Sequence, residues 1–184
     1  MGKLKIGILK INKVDKEVVE HLEKELPKIF PKSECEIISE VFPVPVEAYN
    51  KNRKQYHSSI ILARIREKTK NFSFDIVLGV TELDLYVPHL NFVFGEAECP
   101  GKIAIISLHR LRPEFYGSKP NRKLYFERAL KEAVHEIGHT FGLLHCFNQS
   151  CVMFFSNSIL DTDRKTFHFC EKCFKLVKRK CWNG

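Results

Sequence analysis

The chain has 184 residues, 44% of them hydrophobic and 28% charged, with a formal charge of +8. This length holds one domain with a sizeable core, and the composition is ordinary for a globular protein. No run approaches the ~18 apolar residues of a membrane span, and Lys5 and Lys10 interrupt the N-terminal apolar run, so neither a span nor a signal peptide is expected. The seven cysteines therefore read as thiols and metal ligands in a cytoplasmic protein rather than as disulfides.

In chain order, Leu4 to Ile11 predicts a first strand and Asp15 to Phe30 an amphipathic helix, with Val18, Val19, Leu22, Leu26 and Ile29 on its apolar side. Cys35 to Phe42 reads as a second strand, ended by Pro43 and Pro45. A helix is expected over Lys54 to Lys70, then strands at Phe74 to Val80, Asn91 to Glu96 and Lys102 to Leu108. Alternating strands and helices predict an α/β fold with a largely parallel, twisted sheet. The Leu90 to Glu98 stretch, less apolar at its end than the Ile-rich strand after it, fits an edge strand open on one side.

The most informative run is residues 135–151, HEIGHTFGLLHCFNQSC. His135 and His139 are four apart, so on a helix they share a face and can hold one metal ion. Glu136 beside them is placed to act as general base on a metal-bound water. Gly142 can end the helix in the left-handed conformation, letting His145 turn back as a third nitrogen ligand. The helix is expected to begin between Ser118 and Asn121, with Pro120 in its first turn. Phe126, Leu130, Ala133, Val134, Ile137 and Phe141 then form an apolar stripe, with the two histidines on the opposite side beside Arg128 and Glu132.

A second constellation follows at once. Cys146 and Cys151 are separated by four residues and Cys170 and Cys173 by two, the spacing of a structural zinc site. His168 and Cys181 are alternative ligands on sequence grounds. Cys35 and Cys181 otherwise read as bland, and Cys99, in the turn after the edge strand, reads as inert rather than as a zinc-binding inhibitory thiol. The expected last helix, Glu171 to Arg179, carries Lys172, Lys175 and Lys178, and a solvated lysine-rich face is preferred there over a nucleic-acid contact.

The run from His135 to Cys173, HExxHxxGxxHC with Met153 two residues after Cys151 and then CxxC, resembles the archaemetzincin signature, and residues 79–101 resemble that family's sheet region. The resemblance implies a metzincin-like fold with a five-stranded mixed sheet, a catalytic zinc, a structural zinc and a methionine turn beneath the site. It also implies that the edge strand takes up peptide as an added strand. Where some metzincins have a tyrosine two residues after the methionine, this chain has Phe155.

The expectation is one catalytic domain, an upper part over residues 1–142 and a small lower part over 143–184 stapled by four thiolates. Its activity is that of a zinc metallopeptidase with two zinc ions per chain. The catalytic zinc falls to His135, His139 and His145, the structural one to Cys146, Cys151, Cys170 and Cys173. The expected partner is a peptide or protein substrate, with no membrane, nucleic acid disfavoured, and the chain acting as a monomer. The competing class is a zinc-stabilised binding module whose basic tail docks nucleic acid or an acidic protein; it has no need of Glu136.

Overall fold

The structure, a computed structural model, describes residues 2–182, with side chains through residue 179. Strand β1 (Leu4–Ile11), helix α1 (Lys16–Ile29) and strand β2 (Ser33–Phe42) open the chain. They are followed by β3 (Tyr49–Asn50), β4 (Gln55–His57), α2 (Ser58–Thr69), β5 (Ile76–Thr81), β6 (Leu85–Tyr86), β7 (Gly95–Ala97) and β8 (Ile103–Ser107). Helices α3 (Arg122–Thr140), α4 (Ile159–Arg164) and α5 (Glu171–Trp182) complete it. No helix among the described residues is long and apolar enough to cross a membrane.

The main sheet has the order β2-β1-β5-β8-β7. Its first four strands are parallel and β7 runs antiparallel to β8. The sheet is thus mixed, and β7 is its edge. Both faces are covered, so the central strands are apolar on both sides. Ile6, Ile8, Leu78, Val80, Ala104 and Ile106 pack toward α1 and α3. The alternate positions Leu9, Ile11, Val77, Ile103 and Ile105 meet Ile61, Leu62 and Ile65 of α2.

Three expectations need correction. Residues 55–57 are strand, not helix: β4 joins β3 and β6 in a small second sheet, and α2 begins only at Ser58. The edge strand is three residues long and starts at Gly95, because Val93 bridges to Leu85 instead of extending the main sheet. Pro120 precedes α3 rather than lying in its first turn, since Asn121 is the N-cap and its side chain accepts from the Leu124 N–H at 3.0 Å.

The face of α3 opposite its apolar stripe is covered as well. Arg128 and Glu132 are buried, as is Lys131, because the segment after Gly142 folds over them. Arg128 pairs with Asp163 at 2.7 Å, and Cys151, Val152, Met153, Ile159, Cys173 and Val177 join the core shared by α1 and α3. Replacing Asn121 by Ala should remove one capping bond and lower stability by about 1 kcal/mol. A urea titration should show a reduced midpoint at unchanged slope; an unchanged midpoint would show that the cap is idle.

Candidate metal centres and catalytic cleft

Helix α3 ends in a way that builds the first site. Gly142 has φ +78°, the left-handed region where a side chain is strained. The Gly142 N–H donates to the His139 carbonyl at 2.7 Å and the Leu143 N–H to the Gly138 carbonyl at 3.3 Å, a Schellman closure. The chain reverses there, and the Leu143 carbonyl is left free to accept from His139 Nδ1 at 2.7 Å.

His135 is held the same way, Nδ1 donating to the Val152 carbonyl at 2.7 Å. A carbonyl can only accept, so both Nδ1 atoms carry the proton and both Nε2 atoms present lone pairs. Those two Nε2 atoms face each other 3.1 Å apart. Two lone pairs at that distance repel unless a cation lies between them. Tetrahedral zinc with Zn–N of about 2.0–2.1 Å would hold two such nitrogens about 3.3–3.4 Å apart. His145 completes the set, with one ligand atom of each of the three histidines within 4.8 Å of the others. The donor set fits zinc.

Electrostatics favour the ligating form of these rings. Burial pushes His135 well below the usual imidazole range, lowers His139 and takes His145 down to about 4. All three are therefore neutral at neutral pH, as metal binding requires. Glu136 is buried and points into the same cleft; burial, then the nearby Glu132, raises its carboxyl well above the ordinary value. It lies so close to β7 that a Cβ on Gly95 would come 2.6 Å from Glu136 Cγ. Only glycine permits that approach of edge strand and carboxylate.

The methionine turn lies beneath. Met153 is fully buried, and its sulfur occupies the space that a side chain on Gly138 would need. Phe155 carries no hydroxyl and packs on the His145 ring at a centroid distance of 4.7 Å. The three histidines, Glu136 and Phe155 line a cleft of about 800 Å³, together with Phe92, Gly95, Glu96, Cys99 and Glu132. Cys99 is exposed and faces the Leu143 carbonyl at 3.5 Å, outside the histidine cluster.

The second cluster brings together Cys146, Cys151, Cys170 and Cys173, their sulfurs within 4.8 Å of one another. Cys146 and Cys170 Sγ are 3.8 Å apart, too far for a disulfide. A tetrahedron of four thiolates around zinc at ~2.3 Å predicts edges of about 3.8 Å. The Cys170 N–H donates to Cys151 Sγ at 3.2 Å, as it would to a thiolate ligand. Burial raises the Cys151 and Cys173 thiols, and a bound cation would favour the thiolate form that metal binding needs. His168 packs against the Phe167 ring and is not in the cluster; the Cys181 side chain lies outside the described residues.

One buried pair beside the site escaped the sequence. Lys165 is completely buried and pairs with Glu132 at 3.0 Å, one turn before His135. Thr162 Oγ1 donates to the same Glu132 oxygen at 3.1 Å, and Lys165 Nζ also reaches the Phe154 carbonyl. A Ser-x-x-Asp capping box at Ser158 and Asp161 starts α4, which positions both Thr162 and Lys165. That box was readable; the pairing across 33 residues was not.

Residues 10–179 match the model of peptidase family M54. The chain belongs to that family, the archaemetzincins. It is 50% identical to the archaemetzincin of Methanocaldococcus jannaschii over 95% of this chain and 93% of that one. The Methanopyrus kandleri archaemetzincin structure superposes with a TM-score of 0.83 at 37% identity, covering 97% of this chain and 95% of that one. A zinc-dependent peptidase from Methanocorpusculum labreanum gives 0.84 at 30% identity, covering 94% and 99%. Archaemetzincins are a zinc metallopeptidase family, and the α/β fold with its five-stranded mixed sheet is the one they share.

Two predictions follow from the site's surroundings. Lys165→Met would leave Glu132 buried without its cation, at a cost of about 3–5 kcal/mol. Adding Glu132→Leu should recover much of that loss, and denaturant titration of the single and double variants measures the difference; equal instability of both would contradict the pairing. Burial, reinforced by Glu23 and Glu36, pushes the Cys35 thiol up to about 12, and only thiolates alkylate readily. Peptide mass spectrometry after iodoacetamide at pH 8 should find Cys99 modified and Cys35 not; early modification of Cys35 would contradict its raised thiol.

Proposed function

We propose that this archaemetzincin hydrolyses peptide bonds with Glu136 as general base at a zinc held by His135, His139 and His145. A second, structural zinc is held by Cys146, Cys151, Cys170 and Cys173. The observation that carries the reading is the pair of Nε2 lone pairs meeting at 3.1 Å with both Nδ1 protons committed to carbonyls. A zinc at that point supplies Lewis acidity, lowering the pKa of water and polarising a carbonyl.

The chain's own groups perform the rest. Glu136 takes the proton of the attacking water and passes it to the leaving amine. Its burial keeps bulk water from competing and fits a group that must change protonation within one turnover. Strand β7 is hydrogen-bonded on one side only, so its free edge can receive the substrate backbone as an added strand. Gly95, at its start, brings the strand's own backbone against Glu136. Phe155 offers no hydroxyl, so no donor from that position reaches a developing oxyanion.

The lower part, residues 143–184, hangs on the four-cysteine cluster. Cys146 follows His145 directly, and its N–H donates to the Met153 carbonyl at 2.9 Å. A structural zinc there couples the folding of the tail to the position of the third histidine.

Glu136→Ala should retain zinc while hydrolysis of a cleaved peptide falls by roughly 10²-fold or more. Cleavage at the parent rate would sink the general-base role and favour the binding-module reading. Cys170→Ser should lower the melting temperature and the retention of zinc at the histidines, by loosening Cys146. If Cys170→Ser melts like the parent with all zinc retained, the cysteines are not the clamp.

A further inference from the structure

One wall of the catalytic cleft has almost no regular structure of its own. The loop between β6 and β7 contributes Val87, Leu90, Asn91, Phe92, Val93 and Phe94 to that wall. Residues 87–92 join neither sheet, and the isolated bridge of Val93 to Leu85 is the first tie to one. His89 lies at φ +72°, a left-handed conformation that a non-glycine residue keeps only where its surroundings hold it. Within the loop the Leu90 N–H donates to the Val87 carbonyl at 3.2 Å. The carbonyls of Leu90 and Asn91 find their partners outside it.

Those partners come from the turn between β3 and β4. Arg53 Nη2 donates to the Leu90 and Asn91 carbonyls, at 2.8 Å each. Its Nε donates to Gln55 Oε1 at 2.9 Å, and the guanidinium lies over the Tyr86 ring at 4.3 Å. Gln55 is buried, and its Nε2 donates to the Asn91 carbonyl and to Asp84, both at 3.0 Å. Asp84 pairs with Arg110 at 2.7 Å, whose guanidinium lies over the Phe92 ring at 4.4 Å. The loop is thus gripped at Leu90 and Asn91 by Arg53 and at Phe92 by Arg110. The turn is itself held ready: Asn50 Oδ1 accepts from the Arg53 N–H, and Asn50 Nδ2 donates to the Tyr86 hydroxyl, both at 3.1 Å. Arg53 is exposed and does not line the cleft. A charged fork shared among neutral oxygens is a stronger tie than a neutral bond, and lysine cannot reproduce it.

We propose that Arg53 is a positioning residue: through the Leu90 and Asn91 carbonyls it holds residues 87–94 as a preformed wall of the cleft, so that substrate meets a wall already in place. Its part in the reaction rests on the peptidase reading above; the clamp does not. Without Arg53 the loop leaves this conformation, and apparent affinity falls by the fraction of time the wall is formed. Ground state and transition state lose the wall alike, so KM rises while kcat stands. The catalytic groups keep their own supports. Gly95 pairs with Ile106, the Ser107 N–H donates to the Phe94 carbonyl at 2.7 Å, and His135 and His139 are held by the Val152 and Leu143 carbonyls.

The test compares zinc-loaded parent protein with Arg53→Ala. The control is Arg64→Ala, which removes the same charge from exposed ion pairs with Glu47 and Glu67 on α2's surface. Hydrogen exchange read by mass spectrometry should quicken about tenfold or more across residues 87–94 in Arg53→Ala, with α3 unchanged. Two zinc-binding probes then separate wall from metal: acetohydroxamate, too small to reach the wall, and a tripeptide hydroxamate. Arg53→Ala should weaken the tripeptide probe about tenfold, the effect of a wall formed about a tenth of the time, and leave acetohydroxamate binding as in the parent. The KM of a cleaved peptide should rise in proportion at constant kcat, and Arg64→Ala should move none of these. Unchanged exchange in the loop, equal effects on the two probes, or a fall in kcat at unchanged KM overturns the proposal. If neither probe binds the parent, the zinc and peptidase reading fails, and the exchange result still decides the clamp.

Discussion

Three consecutive carbonyls, those of Val152, Met153 and Phe154, hold the centre of this molecule together. The first accepts from His135 Nδ1, the second from the Cys146 N–H and the third from Lys165 Nζ. Each of these donors belongs to a different part of the site: the active-site helix, the loop joining the two clusters, and the buried ion pair. One tight turn therefore fixes the tautomer of a histidine, the path of the chain between His145 and the first cysteine, and the neutralisation of Glu132. Orientation by the non-ligating nitrogen is the usual way a protein tunes a metal histidine; here both helix histidines are oriented by backbone carbonyls, which cannot rotate away.

That arrangement makes close demands on small residues. Gly138 lets the methionine sulfur lie against the helix, Gly95 lets the edge strand lie against Glu136, and Gly142 supplies the reversal. It also commits a lysine and a glutamate to complete burial, which on its own contributes little to stability. The pair is better understood as fixing where α4 and the methionine turn sit relative to α3. A hydrophobic pair of similar volume would fill the space without specifying the hydrogen bonds to Phe154 and Thr162.

Much of the site was legible because its residues are close in sequence. Four-residue spacing on a helix puts two imidazoles together whatever the fold, and Gly142 announces the turn that returns His145. The cysteine pairs announce themselves by spacing in the same way. Strands β5 and β8 were visible as apolar runs, since strands buried on both faces have few polar interruptions, and β1 as a run broken only by Lys5 and Lys10. What was not legible depended on distant partners or very short elements. Strands β3, β4 and β6, of two or three residues, carry too little periodicity to see. The true start of β7 was set by Val93 pairing with Leu85, and the burial of Arg128 and Glu132 by a segment that returns over the helix from more than 25 residues away.

The most direct test of the account is zinc X-ray absorption on protein purified without chelator, combined with elemental analysis. The geometry predicts two zinc ions per chain. One should show only sulfur neighbours at about 2.3 Å, the other nitrogen or oxygen neighbours at about 2.0–2.1 Å. His145→Ala should diminish the second signal and leave the first. A single zinc in fully loaded protein, or one mixed sulfur–nitrogen site, would contradict the separation of the two clusters on which everything else rests.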